Sequence, residues 1–417
     1  MSSNTSIAFH TLGCKLNFSE TSALANQLSQ EGYEQRDFEA EADIYVINTC
    51  SVTENADKEC RQLVRRIQRK SPESLVVVTG CYAQLKPQEI ASIPGVDLVL
   101  GANAKFDLAS HLKTLKKGDT TKICSCDIEE VSTFNASWSA EHRTRTFLKV
   151  QDGCDYNCSF CTIPLARGKS RSDSIQNVLE NIKEIARAGT KEIIFTGVNL
   201  GDFGENGEDF FQLIQAVDQL PLNLRYRISS IEPNLLTNEI IEWVANSSQF
   251  MPHFHIPLQS GSDRILGMMR RRYKRDLYQE RVGLIKQLIP DACIGVDVIV
   301  GFPGETEEDF LETYSFLASL PVSYFHVFTY SEREDTLAAT LKEVVPISTR
   351  QLRNKKLRAL SYEKQQLFEL TQQGKKRPVL FEKQERGDQM EGYTDNYIRV
   401  TTPYRAEWVN TVLDWQI

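Results

Sequence analysis

Residues 154–161 read Cys-Asp-Tyr-Asn-Cys-Ser-Phe-Cys, which places three cysteines at the spacing C-x3-C-x2-C. Thiolates are the usual ligands of iron–sulfur clusters, and a [4Fe–4S] cluster needs four of them to be closed. Three cysteines can therefore bind three irons and leave the fourth iron open for a substrate or cofactor. The alternative, a zinc knuckle, needs a fourth Cys or His close by. The nearest histidines, His142 and His253, are not at that spacing, so the segment favours an open cluster.

The chain around this segment repeats a strand-then-helix pattern six times. Helical patterns such as Ile175–Ala188 and Glu307–Leu320 follow the apolar runs. Parallel strands with right-handed crossovers close into a barrel or a curved open sheet with helices outside. The predicted strands are Thr146–Gln151, Glu192–Gly197, Arg225–Ser230, His253–Leu258, Cys293–Val300 and Tyr324–Tyr330.

The first third of the chain also alternates strands with helices, such as Ser19–Glu31 and Glu54–Arg69. This alternation predicts a small α/β domain with a parallel sheet. An irregular connection, Lys117–Arg145, follows it. The predicted strands are Ser6–Thr11, Asp43–Thr49, Leu75–Gly80 and Asp97–Gly101.

After the charged helix predicted at Thr349–Gln373, the pattern changes to alternating strands. We predict strands at Val379–Lys383, Tyr393–Thr402 and Glu407–Gln416. About 40 residues of β structure bury too little surface to be secure alone, so we expect a small barrel docked on the middle domain.

Composition excludes several classes of protein. The 417 residues are 41% hydrophobic and 25% charged, as in globular domains, and exceed the length of one ordinary core. No apolar run reaches the roughly 20 residues of a bilayer helix, and the first residues do not resemble a signal peptide. We therefore expect a cytoplasmic protein, in which ten cysteines indicate metal or redox chemistry rather than disulfides. The net charge of −8 argues against indiscriminate nucleic-acid binding.

Three further cysteines each follow one of the first three long strands: Cys14, Cys50 and Cys81. The carboxyl ends of parallel strands lie along one edge of the sheet, where α/β proteins bind ligands. Glycines beside two of them, Gly13 and Gly80, allow close backbone approach. Scattered cysteines are more often core residues, but this shared placement predicts a second three-cysteine site. Cys60 and Cys293 are predicted to be core, and Cys124 and Cys126 are not proposed as ligands.

With both sets of cysteines, the chain resembles the methylthiotransferases, which are radical S-adenosylmethionine (SAM) enzymes that insert sulfur into a C–H bond and methylate it. Other matching segments are Ile163–Pro164, Thr196–Asn199, Ile256–Ser262, Asp297–Glu305 and Phe328–Ser331. The resemblance implies an α/β protein with an N-terminal parallel α/β domain (1–118), a connection (119–143), a radical SAM partial (β/α)6 barrel (144–376) and an all-β TRAM-like domain (377–417).

The resemblance implies two [4Fe–4S] clusters and SAM as cofactors. Cys154, Cys158 and Cys161 would hold the cluster that binds SAM, and Cys14, Cys50 and Cys81 would hold the cluster that carries the transferred sulfur. No catalytic residue beyond these ligands is assigned. Strand-end residues are expected to contact SAM, because parallel barrels build their sites at that end: Thr196, Gly197, Ser229, Ser230, Glu232, Gln259 and Ser260.

The segment Thr11–Asn17 resembles the branch that converts N6-threonylcarbamoyladenosine at tRNA position 37 to its 2-methylthio derivative. Branches acting on isopentenyl-adenosine or on a ribosomal protein side chain usually differ at Lys15 and Leu16, and they remain alternatives. A non-catalytic Fe–S carrier or sensor is disfavoured, because a carrier needs fully ligated clusters. The loop Glu332–Thr336 departs from the family pattern, which has Pro or Gly before the Thr.

The expected partners are the anticodon stem-loop of tRNA, SAM and a reducing electron donor, with no membrane and a monomeric state. Two basic segments, Arg61–Lys70 and Arg270–Arg275, offer phosphate contacts, although charge runs are more often solvated faces. Tyr273 is predicted to stack on unpaired bases. Arg167 and Arg171 are the first candidates to pair with the threonylcarbamoyl carboxylate.

Overall fold

The computed structural model describes residues 5–51, 54–139, 144–205 and 207–417. The chain forms two compact units. Unit 1 contains residues 1–141, 147–156 and 161–172, and unit 2 contains residues 142–146, 157–160 and 173–417. No helix among the described residues is both long and apolar enough to cross a membrane.

Unit 1 is built on the predicted parallel sheet. Its strands run in the order β2-β1-β3-β4-β5-β6, and every pair is parallel. The central strands are buried on both faces, which explains their continuous apolar sequence. The six strands are β1 (Ser6–Thr11), β2 (Glu34–Arg36), β3 (Ile44–Thr49), β4 (Leu75–Gly80), β5 (Leu98–Leu100) and β6 (Lys122–Cys124).

In the described part of unit 1, these strands are connected by the helices α1 (Lys15–Gln30), α2 (Glu54–Lys70), α3 (Cys81–Leu85), α4 (Pro87–Ala91) and α5 (Leu108–Thr114). The helices cover both faces of the sheet and create two apolar clusters. Cys60 is fully buried in one of them together with Leu63, Val64 and Ile67, which confirms its predicted core position.

The predicted irregular connection Lys117–Arg145 is wrong in part, because it contributes strand β6 to the sheet. Strand β6 has only three residues and begins with a lysine, so its sequence shows no detectable strand period. The strand is recognised only by its pairing with β5. Further along, β7 (Ser137–Trp138) pairs antiparallel with β8 (Arg145–Lys149). Unit 1 also contains β9 (Gln151–Asp152), α6 (Ile163–Arg167) and β10 (Arg171–Ser172).

Unit 2 contains the predicted strand–helix repeats that follow β8. Strands β11 (Glu192–Thr196) and β12 (Arg225–Ile228) are parallel, as are β13 (His253–His255), β14 (Cys293–Val300) and β15 (Tyr324–Thr329). Single bridges, Tyr226 to Phe250 and Ser230 to His255, connect β12 with the next strand segment. The helices are α7 (Ile175–Arg187), α8 (Phe210–Asp218), α9 (Asn238–Asn246), α10 (Asp263–Met268), α11 (Arg275–Leu288), α12 (Glu307–Ser319) and α13 (Ile347–Gln372).

The chain ends in an antiparallel sheet of four strands: β16 (Lys376–Arg386), β17 (Gln389–Thr394), β18 (Arg399–Pro403) and β19 (Val412–Gln416). The predicted single strand Tyr393–Thr402 is wrong, because it spans the end of β17, a turn and most of β18. Tyr397 in this turn has a φ of 69°, which a continuous strand does not allow. The α/β class with a small all-β C-terminal part is confirmed.

Candidate active site

The three scattered cysteines of unit 1 lie at one edge of its sheet. Cys14 precedes α1, Cys50 follows β3, and Cys81 is the first residue of α3 directly after β4. Parallel pairing aligns the ends of these strands. Cys14 is exposed, whereas Cys50 and Cys81 are buried. The parallel register therefore brings to one sheet edge cysteines that are as much as 67 residues apart in the chain.

Two glycines let the backbone come close to these thiols. Gly13 has a φ of 95°, and a Cβ added to it would lie 2.7 Å from Cys50 Sγ. Gly80 has a φ of 97°, and its added Cβ would clash with the Thr49 carbonyl oxygen. A larger residue at either position would displace a cysteine-bearing segment. The three thiols and the absence of a Cβ beside them fit the ligation of an iron–sulfur cluster.

Asn17 fixes the ends of the two strands that carry Cys14 and Cys50. Its side-chain amide donates to the carbonyl oxygens of Leu12 and Thr49, both at 2.9 Å. The Asn17 side-chain oxygen Oδ1 accepts a hydrogen bond of 2.6 Å from the Arg167 guanidinium. Because Asn17 is fully buried, these bonds hold the thiol-bearing turns without competition from water.

Arg167 belongs to a buried network of charged side chains in unit 1. Glu20 accepts from Lys105 at 2.6 Å, from Lys149 at 3.1 Å and from Arg167 at 3.1 Å. Asp152 accepts from Arg167 at 2.8 Å and from Lys149 at 3.3 Å.

The electrostatic balance of this network favours ionised carboxylates. Burial alone would raise the pKa of Glu20, but Arg167, Lys105 and Lys149 hold that pKa well below its usual range. Burial raises the pKa of Cys81, and the charges of Arg167 and Lys105 oppose that rise. The network is therefore electrostatically coupled to the cysteine edge.

The cysteines of the C-x3-C-x2-C segment are divided between the units: Cys154 and Cys161 belong to unit 1 and Cys158 to unit 2. In unit 1, the backbone N–H groups of Tyr156 and Ile163 donate to the sulfurs of Cys154 and Cys161, each at 3.4 Å. Hydrogen bonds to ligand sulfurs are typical of iron–sulfur sites and influence their potential.

In unit 2, the Cys158 sulfur accepts a hydrogen bond of 3.1 Å from the Arg271 guanidinium. Arg271 also forms an ion pair with Glu232, and its Nε donates to Tyr273 at 3.1 Å. Burial raises the pKa of the Cys158 thiol, while Arg271 lowers it. Burial also raises the pKa of Glu232, against the effect of Arg271. Arg271 therefore connects a predicted cluster ligand to a predicted SAM contact.

The other predicted SAM contacts follow the strands of unit 2. Thr196 ends β11 and is buried, and Gly197 follows it. Ser229 and Ser230 follow β12, and Ser230 bridges to His255. Gln259 has a φ of 67° and pairs with Val298 of β14. Ser260 is fully buried, and its hydroxyl contacts that of Thr313 at 3.2 Å.

A group of polar side chains lies on three adjacent strands of unit 2. His255 Nε2 is 2.9 Å from an Asp297 carboxylate oxygen, and the His255 and His326 rings stack with centroids 5.4 Å apart. One nitrogen of each histidine and one Asp297 carboxylate oxygen lie within 4.8 Å of one another. The direct His255–Asp297 contact makes this a hydrogen-bonded pair with a neighbouring imidazole.

Two sequence-based hypotheses are wrong. Arg167 and Arg171 are buried, and both contact Asp152, so neither guanidinium is exposed to the carboxylate of a nucleotide-sized substrate. Tyr273 is also buried, and its hydroxyl donates to the carbonyl oxygens of Pro257 and Leu258; it cannot stack on a base. Cys293 is buried as predicted.

Sequence reasoning missed the functional position of Arg271 and the whole Glu20 network. Glu20 carries a signal that could have revealed it, because it falls on the buried stripe Leu16, Leu24 and Leu28 of α1. An acid on an apolar stripe indicates a buried ion pair. Lys149, inside a buried strand, carries the same signal.

Comparison with family models gives two matches. Residues 6–101 match the uncharacterized protein family UPF0004. Residues 148–317 match the radical SAM superfamily. The first match contains Cys14, Cys50 and Cys81, and the second contains the C-x3-C-x2-C segment.

Curated relatives match nearly the whole chain. The threonylcarbamoyladenosine tRNA methylthiotransferase MtaB of Bacillus subtilis (strain 168) is 39% identical over 423 residues, covering 99% of this chain and 93% of the relative. The tRNA-2-methylthio-N(6)-dimethylallyladenosine synthase of Clostridium botulinum (strain Okra / Type B1) is 32% identical, covering 81% and 77%.

A solved structure shows a similar fold. It is the radical S-adenosylmethionine methyltransferase TsrM from Kitasatospora setae, with cobalamin and a [4Fe-4S] cluster bound. Its TM-score is 0.58 at 14% identity, with 81% of this chain and 74% of that chain covered. The likeness confirms the radical SAM fold.

Proposed function

Because the chain belongs to the family of threonylcarbamoyladenosine tRNA methylthiotransferases, we propose that it converts N6-threonylcarbamoyladenosine at tRNA position 37 to the 2-methylthio derivative. The observation that carries this proposal is the gathering of Cys14, Cys50 and Cys81 at one sheet edge in a chain that also contains the radical SAM segment. The protein is a transferase that works with SAM and [4Fe–4S] clusters.

Two sets of cysteines would divide the cofactors. Cys154, Cys158 and Cys161 would hold the cluster that binds SAM, and Cys14, Cys50 and Cys81 would hold the second cluster. When bound, these groups supply the radical that abstracts hydrogen and the sulfur and methyl group that are transferred. Arg271 would hold Cys158 and Glu232 in position, and Asn17 would hold the turns that carry Cys14 and Cys50.

SAM would be contacted by strand-end residues of unit 2. Glu232 is the strongest member of this set, because it lies against the Arg271 that also contacts Cys158. Ser260 is the weakest, since its hydroxyl is already engaged with Thr313. The remaining members are Thr196, Gly197, Ser229, Ser230 and Gln259.

The remaining proposals concern domains and partners. The domain boundaries would be 1–118, 119–143, 144–376 and 377–417, and the last would be a TRAM-like domain. The partners would be the anticodon stem-loop of tRNA and a reducing electron donor, and the protein would act as a monomer in the cytoplasm. In the first basic segment, Arg61 pairs with Glu89 and Arg66 pairs with Glu39. The exposed Arg65 and Arg69 are therefore the better candidates for RNA contacts.

Substrate discrimination tests the proposed function. The anaerobically reconstituted protein, with SAM and a reductant, is incubated with tRNA carrying threonylcarbamoyladenosine or with tRNA carrying isopentenyl-adenosine. Mass spectrometry of the nucleosides should show the 2-methylthio product only from the first tRNA. The opposite preference would assign the chain to the isopentenyl-adenosine branch, which the 32% identical relative from Clostridium botulinum represents.

A further inference from the structure

The buried network of unit 1 contains more positive than negative charge. Its members are four cations, Lys105, Lys149, Arg167 and Arg171, and two carboxylates, Glu20 and Asp152, and every one of these residues is buried. The contacts between them range from 2.6 to 3.5 Å. A buried charge is costly unless an opposite charge lies beside it, so the excess cations need an anionic neighbour.

The excess cations face the cysteine edge. A small cavity of about 10 Å³ is lined by Cys81, Lys105, Arg167 and Arg171, together with Asp152. That volume accommodates about one water-sized species. The Arg171 Nε is buried and has no hydrogen-bond partner in the part of the chain that the structure describes. The cavity therefore combines cations that outnumber the carboxylates paired with them, an unused donor and a candidate cluster ligand.

The chemistry of the proposed cluster supplies the missing negative charge. A [4Fe–4S] cluster held by three thiolates is anionic, and a hydrosulfide or thiolate on its open iron adds more negative charge. Nearby cations and hydrogen bonds to sulfur raise the reduction potential of such clusters. Charge-assisted hydrogen bonds also strengthen the binding of an anion.

We propose that Lys105, Arg167 and Arg171 are positioning residues that form an anion site beside Cys81, stabilising the unit 1 cluster and a small anionic sulfur ligand on it. This inference rests on the proposed function, since it requires a cluster on Cys14, Cys50 and Cys81. It adds to that function the residues that set the charge around the unit 1 cluster and its sulfur ligand.

The test uses the full chain with Cys154, Cys158 and Cys161 replaced by Ala, so that only the unit 1 cluster contributes signal. Lys105→Met and Arg171→Met each remove one cation, and Lys105→Arg keeps the charge. The measurements are iron content, the midpoint potential from an EPR-monitored redox titration, and the affinity for sodium hydrosulfide from its effect on the cluster spectrum.

Lys117→Met is the matched control. Lys117 pairs with Asp97 at 2.9 Å, and Asp97 directly precedes β5, at the amino edge of the sheet and away from the cysteines. This variant also loses a lysine–carboxylate pair of unit 1, but it leaves the cavity unchanged.

In Lys105→Met and Arg171→Met, the midpoint should become more negative, because reduction adds negative charge that one cation fewer compensates. Hydrosulfide affinity should fall by about tenfold, as expected for one lost charge-assisted hydrogen bond. Lys105→Arg and Lys117→Met should match the host protein. Either methionine variant is sufficient if the other does not fold. The inference would be overturned if the midpoint potential and the hydrosulfide affinity were unchanged in the methionine variants, or if Lys117→Met changed them equally. A host protein that binds no cluster would refute the proposed function instead.

Discussion

The Arg271 guanidinium donates a hydrogen bond to the Cys158 sulfur at 3.1 Å and forms an ion pair with Glu232. One buried side chain thus joins a predicted cluster ligand to a predicted SAM contact. Tyr273, which accepts from Arg271 and donates to two backbone carbonyls, keeps the guanidinium in this orientation. The arrangement explains why an arginine in an apparently RNA-binding basic run is buried.

Arg271→Lys should reduce SAM cleavage at least tenfold while the iron content stays unchanged. Lysine keeps the positive charge, but it cannot contact the Cys158 sulfur, Glu232 and Tyr273 at once from its single ammonium group. Production of 5′-deoxyadenosine by reduced protein measures the effect. Arg270→Lys is the control, because Arg270 is the adjacent exposed arginine. Equal rates for both variants would show that the Arg271 contacts do not support SAM cleavage.

Gly13→Ala should remove the unit 1 cluster and with it about half of the bound iron. The added Cβ would lie 2.7 Å from Cys50 Sγ, so the cysteine must move. Gly32→Ala is a matched control, since Gly32 has nearly the same φ, 94°, but nothing within 4 Å of its added Cβ. Both variants introduce a similar backbone strain of about 1 kcal/mol. Iron analysis after reconstitution should therefore show a loss of bound iron in Gly13→Ala alone. A loss of iron in both variants would mean that backbone strain, rather than the contact with Cys50, causes the effect.

Glu20→Gln should lower the free energy of unfolding by about 3–5 kcal/mol, because it leaves buried Lys105, Lys149 and Arg167 without their shared carboxylate. The Glu20 carboxylate stabilises the fold above its unfolded-state pKa. Because the cations depress its folded pKa, that stabilisation is lost only as the pH falls through the depressed value. Denaturant unfolding followed by circular dichroism measures the change.

The control for Glu20 is Glu31→Gln, directly after the same helix. Glu31 pairs with Lys113, whose side chain is 64% exposed, and exposed pairs contribute less than about 1 kcal/mol. A small effect of Glu20→Gln, equal to that of Glu31→Gln, would contradict the buried network.

Sequence reasoning located the parallel sheet of unit 1 and the cysteine edge because strand ends are local signals. Cys14, Cys50 and Cys81 each follow an apolar run, and parallel pairing then aligns them. The strand at Lys122–Cys124 escaped prediction because three residues carry no period, and it exists only through pairing with β5.

The contacts of individual arginines could not be predicted in the same way. Arg167 contacts Glu20, which lies 147 positions away in the chain, and no local pattern distinguishes it from a solvent-exposed arginine. Arg271 and Tyr273 were misassigned to RNA binding for the same reason: their burial depends on the carbonyls of Pro257 and Leu258 and on Glu232. Long-range polar contacts therefore limited the site prediction more than secondary structure did.

The division of labour between the two cysteine sets tests the central claim most directly. In the variant with Cys14, Cys50 and Cys81 all changed to Ala, iron should fall from about eight to about four per chain, and reduced protein should still cleave SAM to 5′-deoxyadenosine. The 2-methylthio nucleoside should disappear from the threonylcarbamoyladenosine tRNA, whereas Cys60→Ala, in the core of unit 1, should keep both activities. A normal yield of methylthiolated tRNA from the triple variant would contradict a sulfur-delivering cluster at this edge.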